Sequence, residues 1–531
     1  MTFKIRPKRY WLAARLTILL TIVTLPCDCV AATQTVRPAA VAGGFYPADP
    51  KELTTMIDDM LAHASPPPIS GTIVAAVAPH AGYQYSGTVA AYTYAALKGH
   101  KFSRVVVIAP SHFEAFDFTS VFDGDAYATP LGAVPVDRAF AARLAKMSTT
   151  IRLSSQGHMP TPKGGEHALE VELPWLQRAL GDFQLVPIIM GDQSYESSRA
   201  LGMALSKMIQ GNDTLILASS DLSHYHAYDD AVKIDHKTLN ALQAWDYFSM
   251  SQNFETRAWE ACGGAPIVAA MIAAERMGAN QAVVLKYGNS GDTTGDHSRV
   301  VGYSADVFLK NQAGAKAEPQ FSLNGHDKDE LLALARKSVE YVVREKKVLE
   351  PSASSSEALN QERGAFVTLM KLGELRGCIG YTSAVKPLYI AVRDTATLAA
   401  MRDTRFQPVG ASELPQLEYE ISVLSPLRRV LDIREVKVGQ HGLLMRNGDH
   451  EGLLLPQVPV EQKWDRRQFL EETCMKAGMS SGCWNDENTD IFMFSAVVFG
   501  EKRLEPFMPE TPSPTSLPSR PGSSAPGSPP H

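Results

Sequence analysis

A chain of 531 residues is too long for one ordinary hydrophobic core, so two or more domains are expected. Its 45% hydrophobic and 20% charged residues give the composition of a soluble globular protein. A formal net charge of −6, with Lys and Arg scattered beyond the extreme N-terminus, speaks against a nucleic-acid-binding surface.

Residues 1–32 read as a signal peptide. A basic opening is followed by an apolar stretch, Leu16 to Leu25, that is short of the roughly 20 residues a membrane span needs. Val30-Ala31-Ala32 then offers the small side chains that a signal peptidase inspects. Export to the periplasm or beyond is expected, with an uncleaved N-terminal membrane anchor as the alternative. Cleavage after Ala32 takes the net charge from −6 to −10 and removes Cys27 and Cys29. Cys262, Cys378, Cys474 and Cys483 remain, too few for a disulfide framework and without a CxxC pair for structural zinc. At least one of them is a candidate for chemistry.

From 36 to 310, apolar runs of strand length alternate with helix-like stretches. "GTIVAAVAP", "RVVVIAP", "FQLVPIIM", "TLILASS" and "AVVLKYG" are mostly unalternated, the pattern of strands buried on both faces. "SGTVAAYTYAAL", "HALEVELPWLQRAL" and "APIVAAMIAAERMGA" are the helices between them. An α/β sheet follows, with sites at the carboxyl ends of its strands. Small and polar residues at 311–320 read as a linker. The helix "DKDELLALARKSVEYVVREKK" then opens an α+β segment, 321–506, and a Pro/Ser/Gly-rich tail, 507–531, is expected to be disordered.

Three strand ends carry chemistry. His80 follows one, His112 another, and Asp221 with His224 a third. In a parallel sheet these ends share one edge. Cys262 sits just before a helix, whose N-terminus would help stabilise a thiolate. Two imidazoles with a thiolate or carboxylate suit iron, copper or zinc better than magnesium or calcium. Asp221 and His224 would orient ligands or carry protons. The plain alternatives are hydrogen-bonded loop histidines, an Asp221 that caps a helix, and an inert core cysteine. Glu166 and His167 open a helix or join the cleft, and His297 lies in a Gly-rich loop that approaches the same edge. His158, His226 and His236 read as solvated. "YGNSGDTTGD" lacks the GK[ST] ending of a phosphate loop.

At these residues the sequence resembles the Memo family. "FYPADP", "APHAGYQYSG", "APSH", "GEHALEVELPWL", "SSDLSHY", "CGGAPI" and "YGNSGD" stand in that family's order and spacing. The resemblance implies an α/β fold like that of class III extradiol dioxygenases, with His80, His112 and Cys262 as metal ligands and Asp221 and His224 beside them. One departure is Ala265, where many members of the family carry a histidine.

Residues 321–506 resemble the AMMECR family through "LRGCIGY", "MRDTRF", "LEYEISVLSP", "HGLLM" and "WDRRQFLEETCMKAG". In "LRGCIG", Gly377 and Gly380 allow a tight turn or close approach to a ligand. Arg376 could hold an anion and Cys378 could react, or the cysteine is simply buried. Arg402 and Arg405 could flank the same groove or form surface ion pairs. Together the two halves resemble components B and A of the AmmeMemoRadiSam set, which implies a radical-SAM protein as partner, a component of the reducing cytosol at odds with export. The expectation is a metal-dependent redox protein, with iron or copper favoured and zinc possible, acting on a small organic or modified-peptide substrate. The alternatives are a metal- or peptide-binding scaffold without turnover and a zinc-type hydrolase.

Overall fold

The computed structural model of the protein describes residues 35–161, 165–311 and 321–501. The expected signal peptide and tail, and positions 312–320 of the expected linker, lie outside the described residues.

Four of the valine-, isoleucine- and leucine-rich runs form the centre of the first half: Thr72–Ala78, Arg104–Pro110, Gln184–Met190 and Thr214–Ser219. They pair in parallel, with Thr214–Ser219 between the first two and Gln184–Met190 beyond Arg104–Pro110. Both faces are covered, so each strand must be apolar throughout. Along Arg104–Pro110, Val105, Val107 and Ala109 enter one core, with the helices Pro50–His63, Tyr83–Leu97 and Glu172–Leu180. Val106 and Ile108 enter the other, with the helices Tyr195–Met208, Tyr247–Glu255 and Gly264–Arg276.

Shorter and antiparallel strands complete a nine-stranded sheet among the described residues. "AVVLKYG" differs from expectation. It belongs to Gln281–Asn289, which runs antiparallel to Val300–Lys310, a strand absent from the expected set. Exposed Lys286 beside buried Leu285 marks a side open to solvent, which a parallel central strand lacks. "HALEVELPWLQRAL" also starts its helix late, at Glu172, because the Glu166 carboxylate takes up the N–H groups of His167 and Ala168 (2.9 and 3.0 Å) in a preceding turn.

The second half is α+β. Glu374–Tyr381, Ala365–Lys371, Leu417–Leu424 and Ala496–Gly500 form an antiparallel sheet against the helices Gly325–Glu345 and Leu388–Met401. Asn324 and Asp327 close a capping box at the start of Gly325–Glu345. A second antiparallel sheet joins Arg428–Arg429, Asp490–Phe494, Gly442–Asn447 and His450–Leu454. Beside it, Cys474 and Cys483 form a disulfide, the single bridge among the described residues rather than a framework. Among the described cysteines, Cys262 and Cys378 are free.

The halves share one apolar seam. Leu424, Leu444, Phe492 and Phe494 join the core that contains Tyr247, Phe248 and the helix Gly264–Arg276. The Phe492 ring packs on Phe248 and Tyr247, with centroids 5.2 and 6.2 Å apart. Beneath it Asp490, 2% exposed, accepts from the Tyr195 hydroxyl (3.1 Å). Asp490 also pairs with Arg199, Arg429 (3.0 Å) and Arg276 (3.8 Å). A carboxylate this deep is tolerable only with such partners. Among the described residues no helix is long and apolar enough to cross a membrane.

Candidate metal centre

His80, Asp221 and His112 each follow their strand by two residues, and the three strands are neighbours in the sheet. Their side chains therefore emerge side by side at its carboxyl edge. Cys262 arrives from the loop before Gly264–Arg276. A side chain at Gly263 would strike the Ser219 carbonyl, so only glycine lets this loop lie so close to the strand end.

The His80 and His112 rings stand edge to face at 5.2 Å, and His167 stacks on His112 at 4.7 Å. Cys262 Sγ is 3.1 Å from His80 Nε2, and Asp221 Oδ2 is 4.0 Å from the same nitrogen. Among the described residues three overlapping sets could hold a metal ion: His80, His112 and Cys262; His112, Glu166 and His167; Asp221, His224 and Cys262. Within each set the ligand atoms lie within 4.8 Å of one another.

His80, His112 and His224 are each tethered by one nitrogen. His80 Nδ1 is 2.8 Å from Ser219 Oγ, and that hydroxyl donates to Glu172 or the Ala168 carbonyl, each at 2.7 Å. With its own hydrogen so placed, Ser219 accepts from Nδ1–H, and His80 Nε2 is left as the lone-pair nitrogen facing sulfur. His112 Nδ1–H donates to Glu166 Oε1 (3.0 Å), and His224 Nδ1–H to the Leu222 carbonyl (2.8 Å). Asp221 accepts the His80 backbone N–H (2.9 Å), and its own N–H donates to Cys262 Sγ (3.3 Å).

Burial dominates the electrostatics. It drives His80 well below its ordinary pKa, with His167, His112 and His224 adding to the effect. It takes His167 to about 4 and also lowers His224. Burial opposes charge on His112 and Glu166 as well, but their hydrogen bond and mutual attraction prevail, leaving His112 raised and Glu166 lowered. Asp221 is pushed up to about 7 by burial. Burial, then the charge of Asp221, pushes the Cys262 thiol up. Burial thus outweighs the help that the helix N-terminus offers a thiolate. A neutral His80, a His112 whose proton a cation would displace, and a thiol whose thiolate a nearby cation would favour are a donor set suited to a divalent transition metal.

Glu166 and His167 stand in the cleft rather than opening a helix. His297 does not: it is exposed, packs on Tyr228 at 4.4 Å, and belongs to none of the three sets. His158, expected in solvent, is fully buried between the Tyr127 hydroxyl and the Ser120 carbonyl, and burial lowers it to about 3. His226 is half-buried against Glu260 (2.9 Å), while His236 is exposed. Sequence reasoning missed Ser219, Glu172 and Arg37. The guanidinium of Arg37, 1% exposed, donates to the carbonyls of Glu166 (2.6 Å) and His158 (2.8 Å) and pairs with Glu170, so it fixes the Glu166–His167 loop. Only Ser219, the last residue of its strand, had a visible signal.

"LRGCIG" lies within the strand Glu374–Tyr381, not in a turn. Gly377 backs onto the Ala399 carbonyl and Gly380 onto the Phe366 ring, so these glycines serve close packing. Arg376, expected as an anion holder, is bound by both Glu413 oxygens (3.0 and 2.9 Å). Arg405 pairs with Asp403 (2.7 Å), which accepts the Cys378 N–H (2.8 Å). The Thr368 hydroxyl donates to Cys378 Sγ (3.3 Å), and burial raises that thiol.

Comparison with known proteins matches residues 37–307 to the family described as Memo-like protein and residues 332–499 to the family described as AMMECR1. A MEMO1 family protein of Methanopyrus kandleri is 38% identical over 285 residues, covering 52% of this chain and 99% of that protein. One of Methanobrevibacter smithii is 36% identical over 284 residues, covering 51% and 99%. The crystal structure of an uncharacterized protein from Pyrococcus horikoshii matches with 40% identity and a TM-score of 0.32, covering 33% of this chain and 90% of that one.

Proposed function

The chain belongs to the Memo family through its first half and carries an AMMECR1 domain in its second, and from that premise we propose a mononuclear metal centre that serves oxidative chemistry. His80, His112 and Cys262 would hold the ion, with iron or copper favoured. When bound, the metal would supply Lewis acidity and electron transfer toward dioxygen beside an organic substrate. Glu166 and Ser219 keep the two imidazoles oriented. Asp221, with a pKa near neutrality, can take or give a proton at the cleft, and His224 on the same side is a neutral acceptor. The substrate proposed is a small organic molecule or a modified peptide. The observation that carries this reading is the gathering of two tethered imidazoles and a sulfur, from distant segments, within 4.8 Å.

The test is to purify the protein with and without air, then measure bound metal and dioxygen consumption with catechol-like compounds. Iron or copper at about one per chain, lost in His80→Ala and Cys262→Ala, supports the proposal. Metal without turnover points to a binding or scaffolding protein instead. Zinc with redox silence supports hydrolysis, a second reading favoured by Asp221, whose near-neutral pKa suits a base acting on water.

We further propose that the protein is exported, with residues 1–32 removed. The Cys474–Cys483 disulfide supports an oxidising compartment. Export would part the chain from a cytosolic radical-SAM protein, leaving its own two halves to act together. N-terminal sequencing of the mature protein distinguishes cleavage from a retained anchor.

A further inference from the structure

Cys262 lies in the loop between the helices Tyr247–Glu255 and Gly264–Arg276, and both helices are held by the second half of the chain. Phe492 packs on Tyr247 and Phe248 at the start of the first helix. Ser383 donates to the side-chain carbonyl of Gln252, one turn on. At the end of the second helix, Arg276 faces Asp490. The Tyr247 hydroxyl donates to Glu275 (2.9 Å), tying the two helices to each other at the same place.

Little slack separates these contacts from the sulfur. Ala258 and Trp259 donate back to the Asn253 carbonyl (2.9 and 3.1 Å), and the Trp259 side chain is buried in the core. The Glu260 carboxylate accepts from the His224 N–H (3.2 Å) and bonds His226 (2.9 Å). Gly263 N–H donates to Ser220 Oγ (2.9 Å), and Gly264 lies against the Phe254 ring. A shift of Tyr247–Glu255 is therefore passed along a short, hydrogen-bonded loop to Cys262.

We propose that the second half buttresses the metal centre, with Phe492 and Ser383 as positioning residues that set the place of Cys262 through the helix Tyr247–Glu255. This deepens the metal reading above and rests on it for its binding arm only. The experiment uses the full chain titrated with cobalt(II), whose charge-transfer absorption reports a thiolate ligand. Phe492→Ala should weaken cobalt binding about tenfold and diminish that band. Phe492→Leu should restore most of both, and Val339→Ala, in the second half's separate core, should leave both unchanged.

A second arm needs no metal: alkylation of Cys262 in a Cys378→Ser background should speed up severalfold in Phe492→Ala. Should Phe492→Ala not fold, Ser383→Ala takes its place in both arms. Unchanged cobalt affinity and band in a folded seam variant overturn the proposal, and so does an unchanged alkylation rate. A wild-type protein that gives no thiolate band overturns the metal reading instead, and the alkylation arm then still decides whether the second half positions Cys262.

Discussion

The two halves of the chain treat their reactive side chains in opposite ways. In the first, His80, His112 and His224 each spend one ring nitrogen on a tether and leave the other for the cleft, where His80 Nε2 faces the Cys262 sulfur. In the second, Arg376 with Glu413 and Arg405 with Asp403 spend their charges on each other. Their electrostatics diverge accordingly. Burial lifts Asp221 and Asp306 to about 7, whereas Arg376 holds Glu413 at about 2 and Arg405 holds Asp403 at about 2. Open valence at a buried cluster marks a place where something is received, and mutual saturation marks a place where the fold is fastened.

The contrast breaks most visibly at the ligands. His80→Ala and Cys262→Ala should each lower metal affinity by more than about 100-fold, whereas Arg376→Ala should leave it unchanged; elemental analysis and competition with a chelator measure both.

A large effect on stability is expected at Asp306, fully buried, with Ser304 as its hydrogen-bond donor. Its native pKa is raised, so the folded protein binds the extra proton between about pH 4 and pH 7 and loses stability as pH rises across that window. Asp306→Asn should flatten this limb, gaining on the order of 4 kcal/mol above pH 7 in urea unfolding.

Ser219→Ala keeps every ligand but frees the His80 ring, and should weaken metal binding roughly 10- to 100-fold. Smallest is Glu413→Gln. The Glu413 pKa is depressed, so its contribution is present above about pH 4.5 and fades as pH falls toward 2. The variant should flatten only that acid limb of the stability profile.

Much of the first half was legible because its physics is local. Apolar runs announce buried strands, and a residue two places past such a run lands at a sheet edge, which brought His80, His112 and Asp221 into view. Gln281–Asn289 misled because its apolar run hides an antiparallel partner that only the fold supplies. Glu172 and Arg37 stayed hidden because their roles come from contacts across 47 residues or more of chain. "LRGCIG" suggested a ligand loop because two glycines look the same whether they admit a ligand, a neighbouring helix backbone or an aromatic ring. The seam was invisible since nothing in the sequence joins Phe492 to Tyr247.

Arg37 has a practical meaning for anyone who shortens this protein. It pairs Val36–Arg37 with the strand Ala126–Thr129 and locks the loop that orients His112, yet it stands only five positions beyond the proposed cleavage point. Trimming to residue 38 would take one residue from the matched region, yet it would unpin an imidazole that lies 75 positions further along the chain.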